Sequence, residues 1–386
     1  MNLVIHDLKP EIWNKISEDY ARWDVISDNG NIKPCIGCFS CWNKDPGRCV
    51  IRDGYDSMGY RIHHAEEVTV ISRYTYGGFS GFVKNTFDRS LGYVLPQFEV
   101  INGETHHKKR YDEEKLFTFI FYGHDLTEEQ KEIARRYVRA VCANIRGRVK
   151  DVLFKECTDD SIDESSKGPS AAKSEDPGKI VLLNGSMRSA NGNSAKLARR
   201  LRGMLHGDTE IINLSDHMKD MSQLVRLLEP VQTIVLCVPL YVDGLPSQVI
   251  RLLERFELEY CGDRKKIYVL TNMGLYESGQ LISLFATVKQ WCEVMDFDYC
   301  GGLGVSAGEL LGTLMEVLPF RKGPTRKVAE GMQALAEAIN DGSSVANIFA
   351  EPHRFPRSLY IFIANTNWNR TARRNGIKPQ DLYRRL

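Results

Sequence analysis

The sequence predicts an α/β protein built as two tandem, doubly wound parallel sheets of five strands each. Short apolar runs alternate with amphipathic stretches along most of the chain, the signature of repeated βαβ units. The runs are continuously apolar rather than alternating, which suits strands covered on both faces. One polar segment divides the chain, and 386 residues are many for one domain and ordinary for two.

In the second half the predicted strands are Lys179–Asn184, Glu210–Leu214, Thr233–Val238, Lys266–Thr271 and Tyr299–Val305. A helix follows Ser194, with Leu197, Leu201, Met204 and Leu205 on one face. Further helices are expected over Pro246–Phe256, Tyr276–Met295 and Arg326–Asn340. The first half repeats the plan, with strands Asn2–His6, Asp24–Ser27, Glu67–Arg73, Leu116–Gly123 and Arg148–Phe154. Its helices are Glu11–Trp23, Ser80–Leu91 and Thr127–Ile145. Between the halves, Cys157–Gly178 is rich in Ser, Asp, Glu, Pro and Gly and lacks aromatics. Such a segment buries too little apolar surface to offset its ordering entropy and reads as a linker. The expected organisation is a domain over 1–156, a linker over 157–178, a domain over 179–345 and a tail over 346–386.

Composition narrows the function. Hydrophobic residues make up 42% and charged residues 26%, as in ordinary globular proteins. A net charge of +1 argues against nucleic-acid binding through bulk charge. No apolar run approaches the length of a membrane span, and the N-terminus lacks the basic and apolar regions of a signal peptide. With ten cysteines, these features point to a reducing, cytoplasmic setting.

In a doubly wound sheet, ligands sit beyond the carboxyl ends of the strands, so the loops after strands carry the chemistry. After Lys179–Asn184 comes Gly185-Ser186-Met187-Arg188-Ser189-Ala190-Asn191-Gly192-Asn193-Ser194, then a helix. Small residues let backbone N–H groups converge. Ser186 and Ser194 add hydroxyls, Arg188 offers a guanidinium, and Asn193 and Ser194 stand at a helix N-terminus. Together with Asn191 they form a phosphate cradle. It lacks the Gly-Lys-Ser/Thr ending of a Walker loop and the spacing of a dinucleotide turn. After Thr233–Val238 comes Pro239-Leu240-Tyr241-Val242-Asp243-Gly244-Leu245-Pro246, an apolar wall with a Gly for close approach to a flat ligand. After Lys266–Thr271 comes Asn272-Met273-Gly274-Leu275-Tyr276, a third such loop.

These motifs resemble the NAD(P)H-dependent FMN reductase and iron-sulfur flavoprotein branch of the flavodoxin-like superfamily. The matching residues are Gly185-Ser186-Met187-Arg188 with Gly192-Asn193-Ser194, and Pro239-Leu240-Tyr241 with Gly244 and Pro246. Met187 stands where the family often has Pro, and Asp243 beside Gly244 is unusual. The resemblance implies strand order 2-1-3-4-5 and FMN held by its phosphate on Ser186, Arg188, Asn191, Asn193 and Ser194. Its ring would lie against Pro239, Leu240, Tyr241, Val242, Gly244, Asn272, Met273, Gly274 and Tyr276. It also implies hydride transfer from NAD(P)H to FMN and onward to a small acceptor such as a quinone, a nitro or azo compound, or free flavin. No side chain is nominated as a catalytic acid or base. The alternative is an electron-transfer or redox-sensing flavoprotein without turnover of its own. A degenerate interaction scaffold is a third reading.

The first half resembles the same family through other parts. Tyr74-Thr75-Tyr76-Gly77-Gly78-Phe79-Ser80 matches the ring-binding loop. The first strand, however, leads through Asp7-Leu8-Lys9-Pro10 straight into a helix, with no cradle. An acidic residue and a proline that lacks an N–H suit a phosphate poorly. One flavin per chain is therefore expected, in an internal pseudo-dimer whose first domain covers the site of the second. The resemblance further allows association of copies of the chain.

Cys35, Cys38, Cys41 and Cys49 are the densest cysteine group. Four thiolates at such spacing suit a [4Fe–4S] cluster, a tetrahedral zinc also fits four thiols, and reduced structural cysteines are the third reading. Cys142, Cys237 and Cys292 fall inside element patterns and read as core. The adjacent pairs His63-His64 and His106-His107 read as solvated or capping residues. From Pro352 to Leu386 seven Arg and one Lys face one Asp, with aromatics interleaved. That tail is expected to pack its aromatics on the second domain and leave its arginines in solvent.

Overall fold

The computed structural model describes residues 1–156 and 178–385. Most of the expected linker therefore lies outside the described residues. The chain divides into two compact units, one formed by Met1–Ile162 with Ile361–Leu386, the other by Asp163–Tyr360.

Unit one runs β1 (Leu3–His6), α1 (Pro10–Ile16), β2 (Asp24–Ser27), α2 (Ser40–Asn43), α3 (Met58–His64), β3 (Glu67–Arg73), α4 (Gly81–Asp88), β4 (Val94–Ile101), β5 (Glu104–Lys109), β6 (Leu116–Gly123), α5 (Glu128–Asn144) and β7 (Arg148–Glu156). Its main sheet has the order β2-β1-β3-β6-β7, all parallel. Pro10 suits the first turn of α1, where an N–H would lack a helical partner anyway. Local chemistry sets α5 equally well. Thr127 and Gln130 close a reciprocal capping box, and Glu128 and Glu129 complement the positive helix end. The antiparallel hairpin β4–β5 was not expected from the apolar pattern. Its turn is Asn102-Gly103, both at positive φ, the dipeptide best suited to a two-residue hairpin loop.

Unit two runs β8 (Ile180–Asn184), α6 (Asn193–Arg202), β9 (Thr209–Asn213), α7 (Met221–Leu228), β10 (Thr233–Pro239), α8 (Ser247–Glu259), β11 (Lys266–Asn272), α9 (Ile282–Val294), β12 (Asp298–Val305), α10 (Gly308–Val317), α11 (Arg326–Asn340) and β13 (Ile348–Ala350). A final helix, α12 (Arg357–Arg374), crosses the division between the units. The parallel sheet has the order β13-β12-β11-β10-β8-β9. Five of these strands keep the expected order 2-1-3-4-5, and β13 adds a sixth at the edge. Every residue of β8 is buried, as a strand covered on both faces requires. On one face Leu182, Val235, Leu270 and Leu303 pack with Leu197 and Leu201 of α6 and Met332 and Leu335 of α11.

The Gly301-Gly302 pair explains an irregularity in β12. Register shifts between Ile267 and Val269, and Gly301 holds a φ of +81°. A Cβ on Gly302 would stand 2.1 Å from Val269 O. Gly302→Ala is expected to destabilise unit two by about 3 kcal/mol, because backbone rather than a side-chain tip must move. A thermal melt with an unchanged midpoint would refute this.

The tail does not pack as expected. Tyr360, at its start, donates its hydroxyl to Gly274 O in unit two. Beyond that, Trp368 meets Phe39 and Trp42 of unit one edge-on, with ring centroids 5.5 and 5.3 Å apart. Asn365 bonds both backbone groups of Phe98, and buried Arg110 donates to Leu382 O and Arg384 O. Arg384 and Arg385 stay exposed, as expected, and also pair with Asp45 and Asp112, each at 2.8 Å. The tail packs there because the hairpin and cysteine loop of unit one present aromatic surface that local sequence cannot reveal. His106 and His107 also differ from expectation. His106 is buried with Nδ1 3.2 Å from Asn144 Oδ1, and His107 lies between the rings of Trp42 and Phe98. His63 stacks on Tyr111 at 3.7 Å. Cys142, Cys237 and Cys292 are core residues, as read.

Candidate functional site

The cradle is shaped by the last residue of β8. Asn184 is fully buried, and its amide donates to Ser189 O at 3.1 Å and Asn213 Oδ1 at 2.9 Å. Its oxygen accepts the Ser186 N–H at 3.2 Å. Ser186 Oγ in turn accepts the Arg188 N–H at 3.3 Å. Ser189 at φ 49° and a short 3-10 turn over Ser189–Asn191 then bring the chain to Gly192, the N-cap of α6. A glycine there has no side chain to occupy the first N–H groups of the helix. A Cβ on Gly192 would stand 2.8 Å from Ser186 Oγ, so only glycine leaves the hollow open. Ser194 Oγ accepts from the Asn272 amide at 2.8 Å, which leaves its own proton free to donate. Ser186, Arg188, Asn193, Ser194 and Asn272 thus converge at the carboxyl edge of the sheet. Asn191 is exposed and closes the 3-10 turn.

The second loop is a tight turn. Tyr241 and Gly244 exchange backbone hydrogen bonds at 3.0 Å, with Val242 at φ 38° and Asp243 at φ 58°. A β-branched residue in the left-handed region costs about 1–3 kcal/mol, the kind of strain held at ligand sites. Pro239 and Leu240 precede it, and the Leu240 N–H donates to Asn272 O at 2.8 Å, tying the second loop to the third. Asp243 is buried. Unit one repeats this turn at Thr75 and Gly78, with Tyr76 and Gly77 at positive φ. The two units thus share this turn geometry at corresponding places after the third strand of each order.

The third loop is fixed from both sides. Met273 N donates to Val305 O at 3.0 Å, and Gly308 N donates to Met273 O at 2.7 Å. Tyr276 donates its hydroxyl to Phe355 O at 2.5 Å and packs on Tyr360, whose hydroxyl reaches Gly274 O. Arg357 pairs with Glu277 at 2.7 Å. The Tyr276 hydroxyl is thus committed to the C-terminal segment. Residues not read from sequence complete the surround. Gln248 Nε2 donates to Gly185 O at 3.2 Å, and Glu309 Oε1 lies 3.8 Å from Arg188 Nη1. The Glu309 side chain is half exposed there.

The matching edge of unit one is closed. Three residues join β1 to α1, too few for a cradle. His6 stacks on Trp13 at 3.9 Å, and burial lowers its imidazole to about 4. The Asp7 carboxylate accepts the Arg73 N–H at 3.1 Å and the Tyr122 hydroxyl at 3.0 Å. The Asp7 carboxyl, its pKa raised by burial, already takes the donors there.

Unit one carries the cysteine loop instead. Arg89, wholly buried, clamps it. Its Nε donates to Cys49 Sγ at 3.2 Å, and its other nitrogens reach Lys33 O, Ile51 O and both oxygens of Asp53 at 2.8–2.9 Å. Trp42 Nε1 donates to Leu91 O and Val94 O, anchoring the far side. Burial, the Asp88 carboxylate and the neighbouring thiols push Cys35 up to about 12. Cys41 is raised too, by burial and then by Cys35, Cys49 and Cys38. Burial first, and their neighbours second, thus favour the neutral thiol at Cys35 and Cys41 until a cationic centre offsets both. Among the described residues no three His, Cys, Asp or Glu side chains converge as one metal ion requires. Four sulfur donors with an N–H donor on Cys49 suit an iron–sulfur cluster chemically.

Strand order and the paired turns define the class: two units of flavodoxin-like topology, of which, among the described residues, the second alone has a Gly-Ser loop leading into an open helix N-terminus. No family model matches the chain. Over 81 residues it is 33% identical to an iron-sulfur flavoprotein of Methanocaldococcus jannaschii, a stretch covering 21% of this chain and 41% of that protein. The chain thus spans less than half the length of the curated relative it matches. Among solved structures it is similar to an azoreductase from Bacillus anthracis, 11% identical, covering 42% of this chain and 99% of the other with a TM-score of 0.32. An FMN-dependent NADH-azoreductase from Bacillus anthracis, in complex with FMN, is 12% identical over 43% of this chain and all of the other, also at 0.32. Among the described residues no helix is long and apolar enough to cross a membrane.

Proposed function

We propose that the chain is an FMN-dependent oxidoreductase that takes hydride from NADH or NADPH and reduces a small acceptor. The observation that carries this reading is the open helix N-terminus at Gly192, framed by Ser186, Arg188 and Ser194 after the first strand of a doubly wound sheet. Those residues suit a terminal phosphate, and the strained turn at Val242 and Asp243 offers backbone groups that would suit a flat ring. FMN when bound supplies a two-electron carrier, and the chain's part is to hold and orient it. Arg188 balances phosphate charge, Ser186 and Ser194 donate hydroxyl protons, and Leu240 with Asn272 fixes the ring loops against each other. The setting is cytoplasmic, and one FMN binds per chain.

Flavin absorbance in the purified protein, one FMN per chain on titration and steady oxidation of NADH or NADPH with a quinone or azo acceptor are the expected results. Bound flavin without any nicotinamide oxidation would remove the enzymatic part. Two FMN per chain would refute the single cradle.

The cysteine loop favours a second reading, in which the flavin exchanges electrons with a [4Fe–4S] cluster on Cys35, Cys38, Cys41 and Cys49. Its support is the four-thiol donor set with Arg89 on Cys49 and the local similarity to an iron-sulfur flavoprotein. Anaerobically purified protein should then contain about four iron and four sulfide per chain. Iron-free protein with four titratable thiols in the loop would exclude it.

A further inference from the structure

Between β12 and α11 the chain inserts α10 and a turn that reaches Phe320. On α6, Lys196, Arg199 and Arg200 follow i, i+3, i+4 spacing and share one face. The insertion does not close down on that face. It leaves an open hollow of about 940 Å³ between α6, α10 and the start of α11. Met204, Met315 and Phe320 give the hollow its apolar lining, while Ser186, Arg188 and Ser194 of the cradle take no part in it.

The charges around it do not balance. Four of its described lining residues are cations, Lys196, Arg199, Arg200 and Arg321, and one, Glu316, is an acid. Lys196 Nζ meets Glu316 Oε1 at 2.8 Å. Among the described residues the three arginines have no carboxylate partner. Each donates instead to a neutral oxygen: Arg199 to Ala190 O at 3.0 Å, Arg200 to Met315 O at 3.2 Å and Arg321 to Gln333 Oε1 at 3.1 Å. A guanidinium is rich in N–H donors, so most of theirs stay available. The Arg200 guanidinium also lies over the Phe320 ring at 4.2 Å. Stacking uses its flat face and leaves the N–H groups at its edge, where they present a fork matched to a carboxylate. A cationic surplus alone would hold any small anion, and an apolar lining alone any hydrocarbon. Here both line one hollow of small-molecule size, and the planes of Phe320 and Arg200 favour a flat body.

We propose that the hollow beside α6 is a second ligand site, for a small organic carboxylate with a flat apolar body. Its head would sit on Arg200 in the field of Lys196 and Arg199, and its body against Met204, Met315 and Phe320. The site does not depend on whether FMN fills the cradle. The test is calorimetric titration of the full-length chain with naphthoate, in excess FMN so that the aromatic acid is kept from the flavin position. Wild type is expected to bind it saturably, with a Kd below about 1 mM. Naphthamide has the body without the charge, and inorganic phosphate the charge without the body. Each should bind at least about tenfold more weakly. Arg200→Gln should weaken naphthoate binding about tenfold with an unchanged melting midpoint. Glu316→Gln should tighten it about threefold by releasing Lys196, a gain that a damaged fold cannot produce. No binding to wild type, equal binding of the amide or of phosphate, or a Kd unchanged in Arg200→Gln overturns the proposal. If Arg200→Gln fails to fold, Glu316→Gln decides, and an affinity that does not rise overturns it.

Discussion

Arg188→Ala should weaken FMN binding by about ten- to a hundredfold, the worth of charge-assisted hydrogen bonds to a phosphate. Gly192→Val should do more. Its side chain would enter the hollow from a Cβ only 2.8 Å from Ser186 Oγ, displacing either that hydroxyl or the phosphate. The protein carrying Gly192→Val is expected to purify without flavin colour. Arg73→Ala, at the corresponding edge of unit one, should leave FMN affinity unchanged, because Asp7 already occupies the donors there. The Arg188 effect should also shrink as salt rises, since Arg188 is partly exposed and its field is screened. Fluorescence titration at two ionic strengths checks all of this. Equal dissociation constants for wild type and Arg188→Ala would place the phosphate elsewhere.

Much of this site was legible because its parts lie close together in sequence. Asn184 to Ser194 is one continuous stretch, and its glycine, serines and arginine each have a chemical reason to follow a strand. Asp7-Leu8-Lys9-Pro10 was equally readable as a missing cradle. Alternation and the handedness of βαβ units announced a parallel, doubly wound sheet, and the family resemblance supplied its strand order. What escaped depends on distant pairings. Glu309 faces Arg188, and Tyr360 holds Gly274, but neither contact leaves a local trace. Helix α10 begins after Ala307 at φ 47° without a side-chain cap, so nothing marks its start. Trp368 reads as one more aromatic in a basic tail, and only the folded unit shows Phe39 and Trp42 waiting for it. The hairpin β4–β5 is a different kind of miss. Asn102-Gly103 announced it, but His106, His107 and the lysines after them hid the second strand behind polar residues.

Arg89→Met should be among the most damaging single changes in unit one. The methionine fills similar volume but leaves the nearly buried Asp53 carboxylate without its partner, together with the carbonyls of Lys33 and Ile51. Removing one member of a buried ion pair costs about 3–5 kcal/mol. For a unit of this size that lowers the melting midpoint by roughly 6–20 °C. Arg89→Lys should rescue little, because an ammonium cannot reproduce the planar fork that joins both ends of the loop. The damage should be local first. Cys35 and Cys41 should react with a thiol reagent much faster in the variant, while Cys142 in the core stays protected. Acid gives a second signature. Burial alone would raise the Asp53 carboxyl, but hydrogen bonds from Arg89 and the Lys33 N–H outweigh it and bring it down to about 2. An acid depressed in the folded state adds stability above its unfolded pKa and loses it as pH falls through the folded one. Wild type should therefore lose this contribution between about pH 4 and pH 2, and Arg89→Met should lack that step. Identical melts and identical thiol reactivity for the two proteins would show that the cysteine loop is held by something other than Arg89.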